Sequence, residues 1–171
     1  MHAATAGLNV NFARLATRAS LRQRLGRLTY AASAIAVMRD RPQFDCELRY
    51  DGHLERLRLT QLSVINAPIF GGALGMRVTG SNPDDRMLDI LALECLPWHR
   101  IMLAGIYPIL RIRRELRGVR ALHVRSLHVH TDRALDVALD GEVLGTLPAE
   151  FEVAAEALRV ITPTDFEDID D

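Results

Sequence analysis

Residues 44–59 read FDCELRYDGHLERLRL. Phe44, Cys46, Leu48 and Tyr50 alternate with Asp45, Glu47 and Arg49, the two-residue period of a half-buried strand. Asp51-Gly52 then offers the two residues that a tight hairpin turn favours, and Leu57 and Leu59 resume the alternation. The stretch is a β-hairpin. Its second arm continues through Val64 and Ile65 to Asn66.

Further along, Leu88 to Leu93 is nearly all apolar and suits a buried strand. Val119 to Val129 is strand-like, but its apolar parity flips between Val124 and Leu127, which predicts a bulge near Ser126. Leu135, Val137 and Leu139 alternate up to a second Asp-Gly turn at 140–141, and 151–153 and 158–160 close the pattern. Two segments have a helical period instead. Ser20 with Gln23 has the spacing of a capping box, and Leu21, Leu25, Leu28, Ala32 and Ile35 follow on one face, ending before Pro42. Pro97 opens the other, with Trp98, Ile101, Met102, Gly105, Ile106 and Ile109 on one face and a kink at Pro108. The expected fold class is α+β, a mostly antiparallel β-sandwich with two attached helices.

With 171 residues, the chain suits one domain that buries a core without metal or disulfide staples. Its 22 acidic and 21 basic residues are balanced, which argues against a nucleic-acid binder. Every basic residue is Arg, so neither a Schiff-base Lys nor a P-loop Lys is available. Cys46 and Cys95 read as buried reduced thiols, and no signal peptide or spanning helix is visible, so a cytoplasmic location is expected. Residues 101–110 are uncharged and are followed by Arg111, Arg113, Arg114 and Arg117. Segment 98–117 can therefore touch an anionic membrane surface, or it can pack in the core with a solvated end.

Several clusters are chemically suggestive without being specific. His128 and His130 share a strand face, but no third metal ligand is evident, so they read as ordinary surface histidines. Asp84-Asp85 with Asp89 offers carboxylates for a divalent cation, or is a solvated turn. Asp140-Gly141-Glu142 is a common hairpin turn, or it holds a carboxylate ready to work as a base.

Taken in order, these features resemble the C-terminal domain of the diacylglycerol kinase and sphingosine kinase family, including the bacterial lipid kinases. Ala6-Gly7-Leu8-Asn9 with Phe12-Ala13 is similar to the stretch that enters that domain, and Leu25-Gly26-Arg27-Leu28 with Tyr30 to its Leu-Gly-x-x-x-Tyr helix. Asn66 with Gly71-Gly72 resembles the family's Asn and glycine run. Asp84-Asp85-Arg86-Met87-Leu88-Asp89 resembles its Asp-Gly-Leu-Leu-Asp turn, with Arg86 in place of Gly. Asp140-Gly141-Glu142, followed by Pro148, Phe151 to Val153, Ala157-Leu158 and Pro163, resembles its closing segment.

The resemblance implies a lipid-kinase C-terminal domain over residues 1–163, an acidic tail over 164–171, and a separate ATP-binding domain in cis or in trans. No Gly-Gly-Asp-Gly loop for ATP occurs in the sequence. It implies Glu142 as the carboxylate that activates a lipid hydroxyl, with Asp140 beside it in the catalytic set. Asn82, Asp85 and Met87 are implied as holders of a structural Mg2+, two of them through backbone carbonyls. The implied partners are a lipid such as diacylglycerol or a sphingoid base and a nucleotide-binding domain, with no nucleic acid. The alternative is a non-catalytic lipid-binding or kinase-regulating module, peripheral at a membrane.

Overall fold

The computed structural model describes residues 1–11, 43–70, 76–77, 81–82, 85–95, 97, 100, 118–154 and 157. The helix expected after Ser20, most of the one after Pro97, the glycine run 71–75, strand 158–160 and tail 164–171 lie outside the described residues.

Eleven strands are described: β1 (Ala3–Gly7), β2 (Phe44–Tyr50), β3 (His53–Ile65), β4 (Ile69–Phe70), β5 (Met76–Arg77), β6 (Leu88–Glu94), β7 (Val119–Val124), β8 (Ser126–Thr131), β9 (Leu135–Leu139), β10 (Glu142–Leu147) and β11 (Ala149–Glu152). All their pairings are antiparallel. The expected β2–β3 hairpin is present, with Asp51 at φ 45° and Gly52 at φ 79°. Both central residues are left-handed, the geometry whose twist matches the flanking strands.

Strand β3 organises the fold because its 13 residues outlast any one partner. Leu59 lies opposite both Phe44 of β2 and Glu94 of β6, and Gln61 opposite both Gly7 of β1 and Leu93 of β6. A strand has only two hydrogen-bonding edges. Strand β6 therefore follows one edge, while β2 and β1 run end to end along the other. One half of the sheet continues through β1, β9 and β10 and, on the other side, through β6 and β7; the second half continues through β2, β8 and β11. Their inner faces meet in a single core. Ala4, Ala6, Leu62, Val64, Leu88 and Ile90 come from the first half, and Phe44, Cys46, Leu48, Leu127 and Val129 from the second. This is the expected sandwich.

The expectation for residues 119–129 is corrected. They are not one bulged strand. Strand β7 pairs with β6, Arg125 is a one-residue break, and β8 pairs with β2 and β11. The chain crosses between the two halves of the sandwich at Arg125, so its inward parity resets and Val124 and Leu127 are both buried. Two bulges do exist elsewhere. Thr60 is the extra residue of β3 against β6, and Leu144 the extra residue of β10 against β9.

Beyond Thr60, β3 is buried on both faces. Gln61 lies there as a buried amide with all sides engaged. Its Oε1 accepts the Asn9 backbone N–H at 2.8 Å, and its Nε2 donates to the Leu62 carbonyl and Ser63 Oγ, both at 3.1 Å. A helical turn begins at Leu8, so Gln61 serves one of the free amides of a helix start. Gln61→Ala is expected to cost about 2 kcal/mol by orphaning that amide and the Ser63 hydroxyl. Urea denaturation read by circular dichroism checks this, with a lower midpoint at unchanged slope.

Candidate functional site

Strand register gathers several of the expected site residues along one rim of the first sheet half. Ala3 pairs with Ile65, Ile65 with Asp89, Asp89 with His123, Ala4 with Leu139, and Leu139 with Glu142. The Asp140-Gly141 turn joins β9 to β10 with φ of 50° and 94°. Its backbone N–H donates to the Ala3 carbonyl at 2.9 Å. The Asp140 Oδ1 accepts the amides of His2 at 2.8 Å and Ala3 at 2.9 Å. The Asn66 amide donates to the His2 carbonyl at 2.9 Å, so the residue after β3 joins the same knot.

These bonds fall on the charged form of Asp140. The amide of Ala3 first, then that of His2, hold its carboxyl below the usual carboxylate range. A carboxyl depressed in the folded state stabilises above its unfolded pKa of about 3.9, and that contribution is lost as pH falls through the folded value. Asp140→Ala is expected to cost about 1–2 kcal/mol at pH 7, a charge-assisted bond discounted for solvent exposure. In thermal melts the gap between wild type and variant should narrow as pH falls below the ordinary carboxylate range.

Glu142 is the first residue of β10 and is exposed. Among the described residues no hydrogen bond or ion pair occupies its carboxylate. By register it shares a face with Leu139, Ala4, Val64 and Ile90.

The second cluster is the turn before β6. The Asp85 amide donates to the Asn82 carbonyl at 3.4 Å, and Asp85 Oδ1 accepts the Met87 amide at 2.8 Å. Arg86 between them has φ 61°. It keeps the left-handed conformation that glycine would hold more easily. His123 spans two carboxylates, with Nδ1 2.9 Å from Asp89 Oδ1 and Nε2 3.3 Å from Asp85 Oδ2. The hydrogen bond to Asp89, with the charges of Asp89 and Asp85, holds this imidazole above its ordinary pKa.

A carboxylate and two carbonyls within one tight turn are hard oxygen donors of the kind Mg2+ takes. The Asn82–Asp85–Met87 set suits such an ion in chemistry, and His123 already shares Asp85 Oδ2. Glu142 cannot join that set. From β10 to β6 is four strand steps, about 19 Å at about 4.8 Å each. Asp89 also lies on the opposite sheet face from Ile90 and hence from Glu142. No group of three or more His, Cys, Asp or Glu that could hold a metal occurs among the described residues.

The remaining histidines lie elsewhere. His128 and His130 stand on the outer face of β8, opposite Arg49 and Glu47 of β2. His128 Nε2 is 3.0 Å from Glu150 Oε1. Glu47 holds Arg49 at 2.6 Å and Arg56 at 3.1 Å, and the pair keeps its carboxyl below the usual range. An open groove of about 490 Å³ runs there, lined by Glu47, Arg49, His128, His130 and Pro148. It touches neither Glu142 nor Asp85. Burial pushes the Cys46 thiol up to about 12, so it is inert packing.

His123 is the one member of these clusters that sequence reasoning misplaced. Its nearness in sequence to His128 and His130 suggests one strand for all three, whereas the break at Arg125 sends it to β7 and to Asp89, 34 positions away. The amides of His2 and Ala3 that hold Asp140 lie more than 130 positions away and leave no local signal.

The architecture defines the class first: a β-sandwich of the kind found in diacylglycerol kinase-like proteins. It matches a protein named "putative diacylglycerol kinase" from Bacillus anthracis str. Sterne with a TM-score of 0.62 at 21% identity, over 88% of this chain and 48% of that one. A second solved structure, of a diacylglycerol kinase from the same organism, gives 0.52 at 14% identity over 88% and 45%. The chain belongs to the family of the YegS C-terminal NAD kinase beta sandwich-like domain, whose model matches residues 2–162. Among curated proteins, a "Putative lipid kinase" of Staphylococcus aureus (strain JH9) is 23% identical over 146 residues, 82% of this chain and 46% of that protein. The chain thus spans about half the length of the curated relatives it matches. No helix among the described residues is long and apolar enough to cross a membrane.

Proposed function

We propose that this chain is the lipid-side domain of an ATP-dependent lipid kinase and that it works with a nucleotide-binding domain supplied in cis or in trans. The observation that carries the reading is the position of Glu142, in a chain of this family. It is an exposed carboxylate with no described partner, directly after a turn that is tied by two hydrogen bonds to Ala3 of β1 and by one to His2 before it.

In the proposed reaction Glu142 accepts the proton of a lipid hydroxyl. The hydroxyl oxygen forms a bond to the γ-phosphorus of ATP as the bond to ADP breaks. Asp140 acts through the turn, holding Glu142 in place. Asn82, Asp85 and Met87 would hold a structural Mg2+, which supplies charge to that turn. Diacylglycerol or a sphingoid base suits as the lipid. Peripheral contact through 98–117 is compatible with the reading.

Phosphoryl transfer needs charge neutralisation around the γ-phosphate, which one carboxylate cannot supply. The chain alone, given ATP, Mg2+ and diacylglycerol, is expected to show negligible turnover. Adding an α/β domain that carries Gly-Gly-Asp-Gly, cloned from the adjacent reading frame or from a relative, should produce phosphorylated lipid. Turnover by the chain alone, comparable to an intact relative, would refute the dependence on a second domain. Lipid binding without turnover in either arrangement would favour the non-catalytic module.

A further inference from the structure

His123 joins the turn before β6 to strand β7. It stands directly across from Asp89 in the β6–β7 pairing, with Nδ1 2.9 Å from Asp89 Oδ1. Its Nε2 lies 3.3 Å from Asp85 Oδ2, on the turn. The other oxygen of Asp85 accepts the Met87 amide inside the turn. Both oxygens of Asp85 therefore have a partner, one within the turn and one in the sheet.

A carboxylate meets each nitrogen of this ring. Imidazole donates at both nitrogens only as the cation, so the ring brings one positive charge between Asp85 and Asp89. Only 13% of the Asp89 side chain and 26% of the Asp85 side chain are open to solvent, against 54% for both partners of the His128–Glu150 pair. Charges so placed are screened less than those in open water, and a carboxylate there is costly to leave without a counter-charge. The turn also needs a fastening. Arg86 holds its left-handed position at φ 61°, a conformation that a residue with a side chain keeps only when its surroundings enforce it.

We propose that His123 takes the structural place of a cation at the Asp85 turn: it fastens the turn to β6 and β7 by itself, and Mg2+ competes with it for Asp85 Oδ2. Ring and ion are alternatives because they use the same oxygen and bring charge of the same sign. With the imidazole in place the turn is already closed, and Mg2+ adds little. Without it Asp85 and Asp89 lose their shared counter-charge, and a hard divalent ion becomes the group best suited to replace it. The inference rests on the cation turn of the proposed function and not on phosphoryl transfer, so its test stands whether or not the assembled chain phosphorylates lipid.

The test is thermal melting of the full chain, followed by circular dichroism, in EDTA and in about 10 mM Mg2+. Wild type should shift by less than about 1 °C between the two, whereas His123→Ala should melt about 3 °C lower in EDTA and regain most of that loss in Mg2+. Asp85→Asn added to that variant should abolish the gain, which locates the ion at this turn. His123→Arg keeps a cation able to meet two carboxylates and should behave as wild type. His123→Gln keeps a donor without the charge; it should gain from Mg2+ as His123→Ala does, and it carries the test where the alanine variant does not fold. His128→Ala removes a histidine–carboxylate pair elsewhere and should gain nothing. Titration calorimetry should show Mg2+ binding about tenfold or more tighter to His123→Ala than to wild type. A wild type that Mg2+ stabilises as much as His123→Ala would overturn the proposal, since ring and ion would then occupy the turn together. So would weaker Mg2+ binding by the variant, which would make His123 an aid to the ion, or a loss in both His123→Ala and His123→Gln that Mg2+ does not restore.

Discussion

Glu142→Gln, in the chain assembled with a nucleotide-binding domain, is expected to lower kcat by about 10²–10⁴, the usual contribution of a positioned general base. Glutamine keeps the length and polarity of the side chain but cannot take up the hydroxyl proton. Because the lost interaction exists only as the proton moves, kcat and kcat/KM should fall together while the lipid KM stays near its wild-type value. Stability should not change, since the side chain is exposed and holds no described partner. Steady-state kinetics with a melt of the same preparation checks both halves. Unchanged turnover would leave Glu142 as a turn residue only.

Gly7→Ala should have the largest effect on the fold. Gly7 has φ 97°, a conformation that an L side chain adopts only with strain of about 1–2 kcal/mol. A Cβ there would also run into the Thr60 carbonyl oxygen and come within 3.0 Å of the Phe44 ring. The carbonyl belongs to the bulge of β3 and cannot swing aside like a side chain. Overpacking of this kind costs about 1–3 kcal/mol more. The sum, about 2–5 kcal/mol, is a large share of the total stability of an ordinary domain. The expected fall in Tm is about 10 °C, read by circular dichroism at 222 and 218 nm, wavelengths about the α and β bands. A wild-type melt would mean that β1 and β2 do not meet end to end at Thr60.

The local hairpins were legible because their information is local. Phe44 to Leu59 carries both the alternation and the Asp-Gly turn, and the turn before β10 has the same signature. Strand β1 was not legible. Ala3 to Gly7 contains no large apolar residue, so it has no amplitude for a two-residue period to show. Yet it lies between β3 and β9, where Ala4 and Ala6 pack into the core. The parity flip after Val124 was visible, but a bulge and a crossing between sheet halves look alike in one dimension. Only the partners of β7 and β8 separate them.

The candidate site divides along the same line. Glu142, Asp140 and Asp85 were found because each stands in or beside a turn with recognisable chemistry. Their partners were not. Asp140 is bonded to amides more than 130 positions away, and Asp85 and Asp89 share a histidine from another strand.

What the sequence by itself determined is the antiparallel character of the chain, its two Asp-Gly turns and its family. These depend on side-chain period and backbone preference over a few residues. The tertiary structure alone decided that Glu142 and the Asp85 turn lie four strands apart on opposite faces, and that Leu144 is pushed out beside Glu142. Both follow from register. Register is a sum of pairings across the whole sheet, so no short stretch of sequence contains it.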